Sequence, residues 1–416
     1  MFCSVFFLNV LLAITTSAKP VVVDMSPVTL PLSRRLNLTS IHNLVRHDQA
    51  RARSLKSKGR FRSQFGARAV INEPIDNQAV TYIASVGIGS PPTSYNLLVD
   101  IGSSNTWVGA GKAYVKTSTS FQTSANIAVT YGSGSFSGME FTDTVTLASG
   151  LVISKQSIGV ASSSSGFEGL DGVLGIGPSD LTAGTISTSA CTIIPTVFDN
   201  LFESGIITQG LMAISFEPAT TEDVVNGEIT WGKFLYSTGG VDNSKFTGSL
   251  SFIPVTTTLP AGEFWGIDQS IRYGASNTIL ATTSGIYDTG TTLVLLATNA
   301  FNKYKTATGA VLDNNTGLLK VTAAQFSNLQ SLFFVTTQIT LELTANAQLW
   351  PRSLNADIGG VSSAIYLIVN DLGTPSGEGL DFVNGYTFLE RFYSVYDTTN
   401  FRIGVATTPF TKATTN

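Results

Sequence analysis

Histidine is nearly absent from this 416-residue sequence. Both histidines, His42 and His47, lie close to the N-terminus, so the chain after about residue 70 contains none. A Ser-His-Asp triad, a Cys-His pair and a histidine-ligated zinc are therefore excluded from that part. Catalysis there must use carboxylates, hydroxyls, lysine or backbone groups, and we expect neither a metal nor a cofactor.

Cysteine is equally scarce, with Cys3 and Cys191 as the two examples. Cys3 falls in a segment that we expect to be removed, so the mature protein would have one thiol and no internal disulfide. A chain of this length can bury a large core without such crosslinks. We therefore expect Cys191 to be an inert buried thiol.

Charged residues make up only 12% of the chain, against 43% hydrophobic residues and 39 glycines. This composition favours a β-rich protein with many turns. Residues 1–70 carry 11 Lys and Arg against 2 Asp and Glu, a net charge of +9, while the remainder carries 13 against 26, a net charge of −13. A basic arm of this kind can bind nucleic acid or a membrane. Because the acidic remainder is a partner closer to hand, we expect no nucleic acid and no membrane.

Long apolar runs are also missing after the first 18 residues, so no membrane span is expected. Residues 1–18 are typical of a secretory signal, with a short apolar core and a small-residue ending, although the usual positive charge is missing. This predicts a secreted, extracellular protein. Residues 19–70 are predicted to be a removable pro-segment, or alternatively a disordered tail. The spacing of Leu36, Ile41, Leu44 and Val45 allows a short helix, followed by a long solvated arm.

A weak internal repeat organises the rest of the chain. "LLVDIGSSNTWVG" (97–109) and "GIYDTGTTLVLL" (285–296) share the pattern D-x-G-[ST]-[ST] around Asp100 and Asp288. Each is followed later by a hydrophobic segment that contains a glycine. This predicts an all-β protein of two related lobes, 71–254 and 255–416, with a cleft between them. Two apolar runs around Gly-Ser-Pro-Pro (89–92) predict a β-hairpin, and apolar spacing predicts a helix within 194–207 and another from Thr298.

The repeated motif has a chemical purpose when two copies meet. Glycine permits a sharp turn after each aspartate, and the hydroxyls of Ser103 and Thr291 can hold the carboxylates in place. Two facing carboxylates share one proton, so one acts as a base toward water while the other polarises a carbonyl. A single D-x-G-S pattern is weak evidence, but two in a chain without histidine predict a catalytic pair. A carboxylate-pair glycosidase would not need two symmetric D-x-G turns.

These motifs resemble the active-site loops of the pepsin-like aspartic endopeptidases, and the similarity, greatest to fungal acid proteases of that family, extends over about 78–410. It implies a two-lobed fold, catalytic Asp100 and Asp288, and a flap in "VTYGSGSFSG" (129–138). It further implies a zymogen, apolar residues around the cleaved bond, and a pro-segment lysine, Lys56 or Lys58, that covers the aspartates. The remaining implied site residues are Tyr131, Gly132 and Ser133 on the flap, and Gly102, Ser103, Trp107, Thr289, Gly290 and Thr291 around the aspartates.

The sequence departs from the family pattern after the first aspartate. Ile101 stands where the family has threonine or serine, so one hydroxyl that would join the two lobes is missing. The lost hydrogen bonds would cost about 1–3 kcal/mol. The alternative function is therefore a catalytically weakened or inactive relative that binds peptides or proteins. Asn384 replaces a usual apolar residue, and 233–240 looks inserted. Asn314, in the sequon N-N-T, is a candidate glycosylation site. We expect a monomer that acts on peptides or proteins and has its own pro-segment as an inhibitor.

Overall fold

The computed structural model describes residues 28–36, 43–62, 80–132, 134–188, 191–221, 224–232 and 241–416. The predicted signal (1–18), the flap residue Ser133 and the apparent insertion (233–240) lie outside these described residues. Among the helices in the described ranges, none has the combination of length and apolarity that crossing a membrane requires.

The described residues are mainly β, as predicted. The strands, β1 to β23 in chain order, are Thr29–Leu36, Val80–Ile88, Thr93–Asp100, Trp107–Val108, Phe121–Thr130, Ser135–Ala148, Leu151–Ser165, Gly172–Gly175, Leu211–Phe216, Val224–Trp231, Thr247–Pro254, Gly266–Tyr273, Asn277–Tyr287, Val294–Leu296, Val311–Leu312, Leu319–Val321, Leu332–Val335, Thr340–Leu343, Ile365–Leu367, Val369–Asp371, Phe382–Asn384, Phe392–Asp397 and Arg402–Thr407. The α-helices, α1 to α5, are Asn43–Arg62, Val197–Glu203, Thr298–Thr308, Ala323–Ser327 and Tyr386–Leu389. Short 3-10 helices span Ser179–Thr182, Ala261–Glu263, Asn346–Gln348 and Arg352–Leu354.

Three sheets are formed by the described strands. The largest has the order β11-β23-β22-β9-β10-β1-β2-β3-β8-β4-β7-β6-β5. A seven-stranded sheet has the order β18-β17-β12-β13-β21-β14-β20, and β15-β16-β19 form the third. Strands β22 and β23, from the end of the chain, pair with β9 and β11, so one sheet joins sequence from both sides of the predicted lobe boundary at residue 254.

The strand that carries each aspartate is built in the same way in both halves. Asp100 ends β3, which runs parallel to β8, the strand of the predicted later hydrophobic segment. Asp288 directly follows β13, which runs parallel to β21 in the equivalent segment of the second half. All four strands are mostly buried, so the aspartates are anchored to rigid elements.

Local turn and helix signals were read correctly. The predicted hairpin around Gly-Ser-Pro-Pro is β2 and β3. The helix predicted within 194–207 is α2, which begins with a capping box between Thr196 and Asp199. The helix predicted from Thr298 is α3, which ends at Gly309 in the left-handed conformation. Cys191, expected to be buried, is exposed.

The basic N-terminal segment is not the solvated arm predicted after a short helix. Its strand β1 lies between β10 and β2, and α1 is a 20-residue helix with several buried side chains. Arg34 of β1 is almost fully buried, and its Nε lies 3.3 Å from a carboxylate oxygen of Glu390. Residues of β1 and α1, Leu32 and Leu44 among them, belong to the same hydrophobic core as Ile101.

Candidate active site

Asp100 and Asp288 are held by matching sets of hydrogen bonds. The hydroxyl of Ser103 donates to Asp100 Oδ2 at 2.5 Å, and the hydroxyl of Thr291 donates to Asp288 Oδ2 at 2.6 Å. The other oxygen of each carboxylate accepts from the backbone N–H two residues later, at 2.9 and 3.2 Å. Each D-x-G-[ST]-[ST] loop therefore fixes its own carboxylate, as the residue types at these positions predict.

The two carboxylates meet at the guanidinium of Arg51 in α1. Arg51 Nη2 donates to Asp100 Oδ1 at 2.5 Å and to Asp288 Oδ1 at 2.7 Å, while Nε donates to Asp288 Oδ2 at 2.6 Å. Both aspartates have no exposed surface and Arg51 has 4%. Because one nitrogen contacts both carboxylates, the two predicted aspartates lie at one site.

The surroundings of Asp288 and Arg51 favour the charged forms of both side chains. Burial by itself would raise the pKa of the Asp288 carboxyl, but the Arg51 charge and the hydrogen bonds from Arg51, Thr291 and the Gly290 N–H hold that pKa below its usual value. Burial also opposes the charge on Arg51, yet the two carboxylates raise its pKa above the ordinary value. Arg51 therefore stays charged in acid.

The loops also contact each other, but on one side only. Thr289 Oγ1 accepts from the Ile101 N–H at 3.1 Å and donates to the Val99 carbonyl at 3.0 Å. The equivalent position, Ile101, has a hydrocarbon side chain with no exposed surface, which cannot make the reciprocal pair of bonds. The cross-lobe contact is therefore half of a symmetric arrangement.

The β5–β6 hairpin covers the site from above. The Tyr131 hydroxyl accepts from Trp107 Nε1 at 2.9 Å, and both side chains are buried. Burial, with the nearby charge of Asp100, raises the pKa of Tyr131, so its phenol stays neutral. Gly132 lies directly on the backbone of α1, where a β-carbon would collide with Ala50 and Arg51. The absence of a side chain at Gly132 lets the hairpin tip close over the helix.

Other residues of α1 fix the helix in the cleft. The buried Asp48 carboxylate accepts from the N–H groups of Thr292 and Leu293 at 3.1 and 2.8 Å. Gln49 Nε2 donates to the Asp371 carbonyl at 2.8 Å. One set of bonds is made directly after the Asp288 loop and the other at Asp371 in β20, so α1 is held at more than one point.

The residue that covers the aspartates is Arg51 and not the expected lysine. Lys56 instead hydrogen-bonds the Thr374 hydroxyl, and its Nζ lies 3.6 Å from Glu378 Oε2. The side chain of Lys58 is outside the described residues. A usable signal was present, because Leu44, Asp48, Arg51 and Leu55 follow an i, i+4, i+7, i+11 spacing that places them on one face of a helix.

Comparisons with known proteins identify the family. Residues 81–408 match the family described as eukaryotic aspartyl protease. The chain belongs to this family. Polyporopepsin of Irpex lacteus is 64% identical over 343 residues, which cover 82% of this chain and 98% of that protein. Pepsin A of Sus scrofa is 26% identical over 408 residues, 93% of this chain and 97% of the relative.

A solved structure shows the same fold. The crystal structure of the aspartic proteinase from Irpex lacteus has a TM-score of 0.78 and 64% sequence identity, and covers 81% of this chain and 96% of its own. The predicted pepsin-like fold and the predicted class are therefore confirmed. The protein is an aspartic-type endopeptidase.

A buried amide pair distinguishes the second lobe of this endopeptidase. Asn384, next to Asp288 across the sheet, exchanges side-chain hydrogen bonds with Gln269 at 3.3 and 3.4 Å. Both side chains are almost fully buried, and the Asn384 carbonyl accepts from the Asp288 N–H at 3.2 Å. The polar residue at 384 therefore has a partner, which its identity in the sequence did not predict.

This pair yields a stability prediction. We expect Asn384→Leu to lower the free energy of unfolding by about 1–3 kcal/mol, because the Gln269 amide loses its partner in the core. The double variant Asn384→Leu/Gln269→Leu should lose less, since neither polar group remains. Urea unfolding of the three proteins measures both effects. A double variant at least as destabilised as the single one would contradict this account.

The predicted glycosylation site, Asn314, is exposed. Thr316 of its sequon accepts from the Leu318 N–H, in a turn that Asp313 caps. The turn leaves the Asn314 side chain accessible to a glycosylating enzyme. Within the described ranges, no group of three or more His, Cys, Asp and Glu side chains could hold a metal ion.

Proposed function

We propose that this endopeptidase is secreted as an inactive precursor and cleaves peptide bonds in acid with a water molecule held between Asp100 and Asp288. The observation that carries the proposal is Arg51 Nη2, which contacts both carboxylates at 2.5 and 2.7 Å. A site that holds one small donor between two carboxylates suits a water molecule once the guanidinium has left.

The reaction uses a single proton on the aspartate pair. The ionised carboxylate takes a proton from the water as the water oxygen bonds to the peptide carbonyl carbon. The protonated carboxyl donates its proton to the carbonyl oxygen, which gives a tetrahedral intermediate with two hydroxyls. A proton then passes to the peptide nitrogen, the C–N bond breaks, and an acid and an amine leave. The bonds from Ser103 and Thr291 keep the two carboxylates in position throughout.

The cleft is shaped for an extended peptide. Tyr131 and Gly132 at the hairpin tip cover α1 at present and would close over a substrate in the same place. An extended peptide can bind such a cleft through its backbone, in the manner of an added strand. We propose that bulky apolar residues flank the cleaved bond.

Residues 19–70 act, in this proposal, as an inhibitory pro-segment. Its two described parts are anchored: β1 lies between two strands of the main sheet, and α1 lies over the aspartates. The charges of +9 and −13 on the two portions of the chain attract each other at neutral pH. A substrate cannot reach the aspartates until α1 leaves.

Acid is the proposed trigger for release. The pKa of Asp288 is lowered while Arg51 is bound, so the contact stabilises the closed precursor above the ordinary carboxyl pKa of about 3.9. That stabilisation is lost as the pH falls through the lowered pKa. Arg51 keeps its charge throughout, so the Asp288 carboxylate is the group that responds. We expect conversion to be faster at about pH 3 than at neutral pH.

Residues 1–18 act as a removed secretory signal, and the lobes 71–254 and 255–416 each supply one aspartate. A single chain thus completes the site, which suits a monomer. We also propose Asn314 as a site for an attached glycan.

Cleavage of casein by acid-treated protein tests the proposal. The variant Ile101→Thr is measured beside it to separate an enzyme from an inactive relative. By the symmetry with Thr289, a hydroxyl at residue 101 would reach the opposite loop, and 1–3 kcal/mol of added transition-state stabilisation corresponds to about a 5- to 150-fold higher kcat/KM. Ile101→Val is the matched control, because it also shortens the buried side chain but adds no hydroxyl.

The outcomes separate the enzyme from the inactive relative. We expect cleavage by the natural protein and the Val variant, with the Thr variant faster than both. No cleavage by the natural protein, together with cleavage by Ile101→Thr, would support a peptide-binding relative and overturn the proposal.

A further inference from the structure

A second charged contact of α1 lies away from the aspartates. The Lys56 ammonium hydrogen-bonds the Thr374 hydroxyl and lies 3.6 Å from Glu378 Oε2. Lys56 is 6% exposed, whereas the Glu378 side chain is 31% exposed at the edge of the cleft. The helix therefore places a basic side chain in a partly enclosed acidic position beside the catalytic site.

The segment that carries Glu378 also has hydrogen bonds that do not involve α1. The Asp381 carboxylate accepts from the N–H groups of Gly377 at 2.7 Å and Glu378 at 3.1 Å, and from the Thr283 hydroxyl at 2.6 Å. At the other end, the Asp371 carboxylate accepts from the Gly373 N–H and the Thr298 hydroxyl. The loop 371–381 should therefore keep its shape when the pro-segment leaves.

The distance from Arg51 to Lys56 along α1 can be expressed as a number of residues of an extended substrate. It follows Arg51 by five residues, which is about 7.5 Å along a helix axis. An extended peptide advances about 3.3 Å per residue, so the same distance spans two to three substrate residues. Asp48, bonded to Thr292 and Leu293, precedes Arg51, so Lys56 lies on the opposite side of the aspartates.

We propose that Glu378 and Thr374 form a substrate subsite that favours a lysine two or three residues from the cleaved bond, on the side of the aspartates away from Thr292. The contact that Lys56 makes in the precursor is then replaced by one from the substrate. This inference rests on the proposed function, because it assumes that the cleft emptied by α1 binds peptides for cleavage.

The test uses acid-treated protein and peptides with one common cleavage site. Lysine, norleucine or glutamate is placed at the second and third positions on each side of the bond, and kcat/KM is measured at about pH 5, where a glutamate side chain in water is charged. We expect lysine to be preferred over norleucine by about two- to fivefold at one of these positions, as for a partly exposed ion pair.

Two variants locate the preference. Glu378→Gln should abolish the preference, so that the lysine and norleucine peptides are cleaved with equal kcat/KM. Glu203→Gln, which changes an exposed glutamate in α2, should keep the preference for lysine. Equal cleavage of lysine and norleucine peptides by the natural protein, or a preference that survives Glu378→Gln, would overturn the subsite but not the protease. Failure to cleave any of the peptides would overturn the proposed function and the subsite with it.

Discussion

Replacing either of the two proposed catalytic aspartates by asparagine, as Asp100→Asn or Asp288→Asn, should lower kcat/KM of the acid-treated protein by about 10³-fold or more. Each variant keeps the shape and most hydrogen bonds of the side chain but removes the shared proton. Without it, either the base toward water or the acid toward the carbonyl is missing, and such groups contribute about 10²- to 10⁴-fold each. Hydrolysis of a casein-derived peptide measures the loss.

A matched control separates chemistry from folding. Asp242 caps a turn by accepting from the Ser244 N–H and hydroxyl, outside the catalytic loops, and Asp242→Asn should keep nearly full activity. If one catalytic variant retained more than a tenth of the natural activity while the other was inactive, the two aspartates would not act as a pair. That result would contradict the proposed mechanism.

The second large effect concerns the proposed latency of the precursor, which α1 maintains by filling the cleft. Arg51→Ala should let the precursor bind a transition-state peptide analogue at neutral pH at least about 100-fold more tightly than the natural precursor does. Removing one partner from a buried ion pair costs about 3–5 kcal/mol, and here that cost falls on the closed state, in which α1 fills the cleft. Calorimetric titration of the uncleaved precursor measures the change.

Arg53 provides the control for this experiment, because it lies on the same helix and is exposed. Arg53→Ala changes the charge of α1 by the same amount and should leave binding of the analogue unchanged. Equal tightening by the two variants would indicate that the general charge of the segment maintains latency. If Arg51→Ala bound the analogue no more tightly than the natural precursor, the guanidinium would be dispensable for latency.

The sequence was sufficient to predict that Asp100 and Asp288 lie together, because the signals of the two loops are local. Asp100 and Asp288 stand at strand ends in two D-x-G-[ST]-[ST] loops, and glycine and hydroxyl residues can serve only a few purposes there. The same locality explains the correct hairpin of β2 and β3 and the helices α2 and α3, whose caps and turns are encoded within a few residues.

The basic segment was misread because its structure depends on distant contacts. β1 pairs with β10, about 190 residues later in the chain, and no local pattern reveals that pairing. The many charges of the segment predicted that it would be exposed to solvent. Arg34 is instead buried against Glu390, and Arg51 is buried against Asp100 and Asp288. A buried arginine resembles a surface arginine in sequence until its carboxylate partner is located.

The expectation that a lysine covers the aspartates was wrong because it rested on the family resemblance and not on the helix pattern of this chain. The helix predicted from the apolar spacing is short, and its apolar face ends at Val45. Extending that face to Leu55 places Asp48 and Arg51 in the cleft. The contact of Lys56 with Glu378 depends on the loop 371–381. This loop lies more than 300 residues away in sequence, so the contact was not predictable.

The most direct test of the whole account is a time course of the full-length precursor after a shift from about pH 7 to about pH 3.5, with intact mass and casein cleavage measured on the same samples. The account predicts that casein cleavage is absent at the start and appears together with the loss of the basic segment, near residue 70. Casein cleavage by the intact precursor at neutral pH, or shortened protein that does not cleave casein in acid, would contradict it.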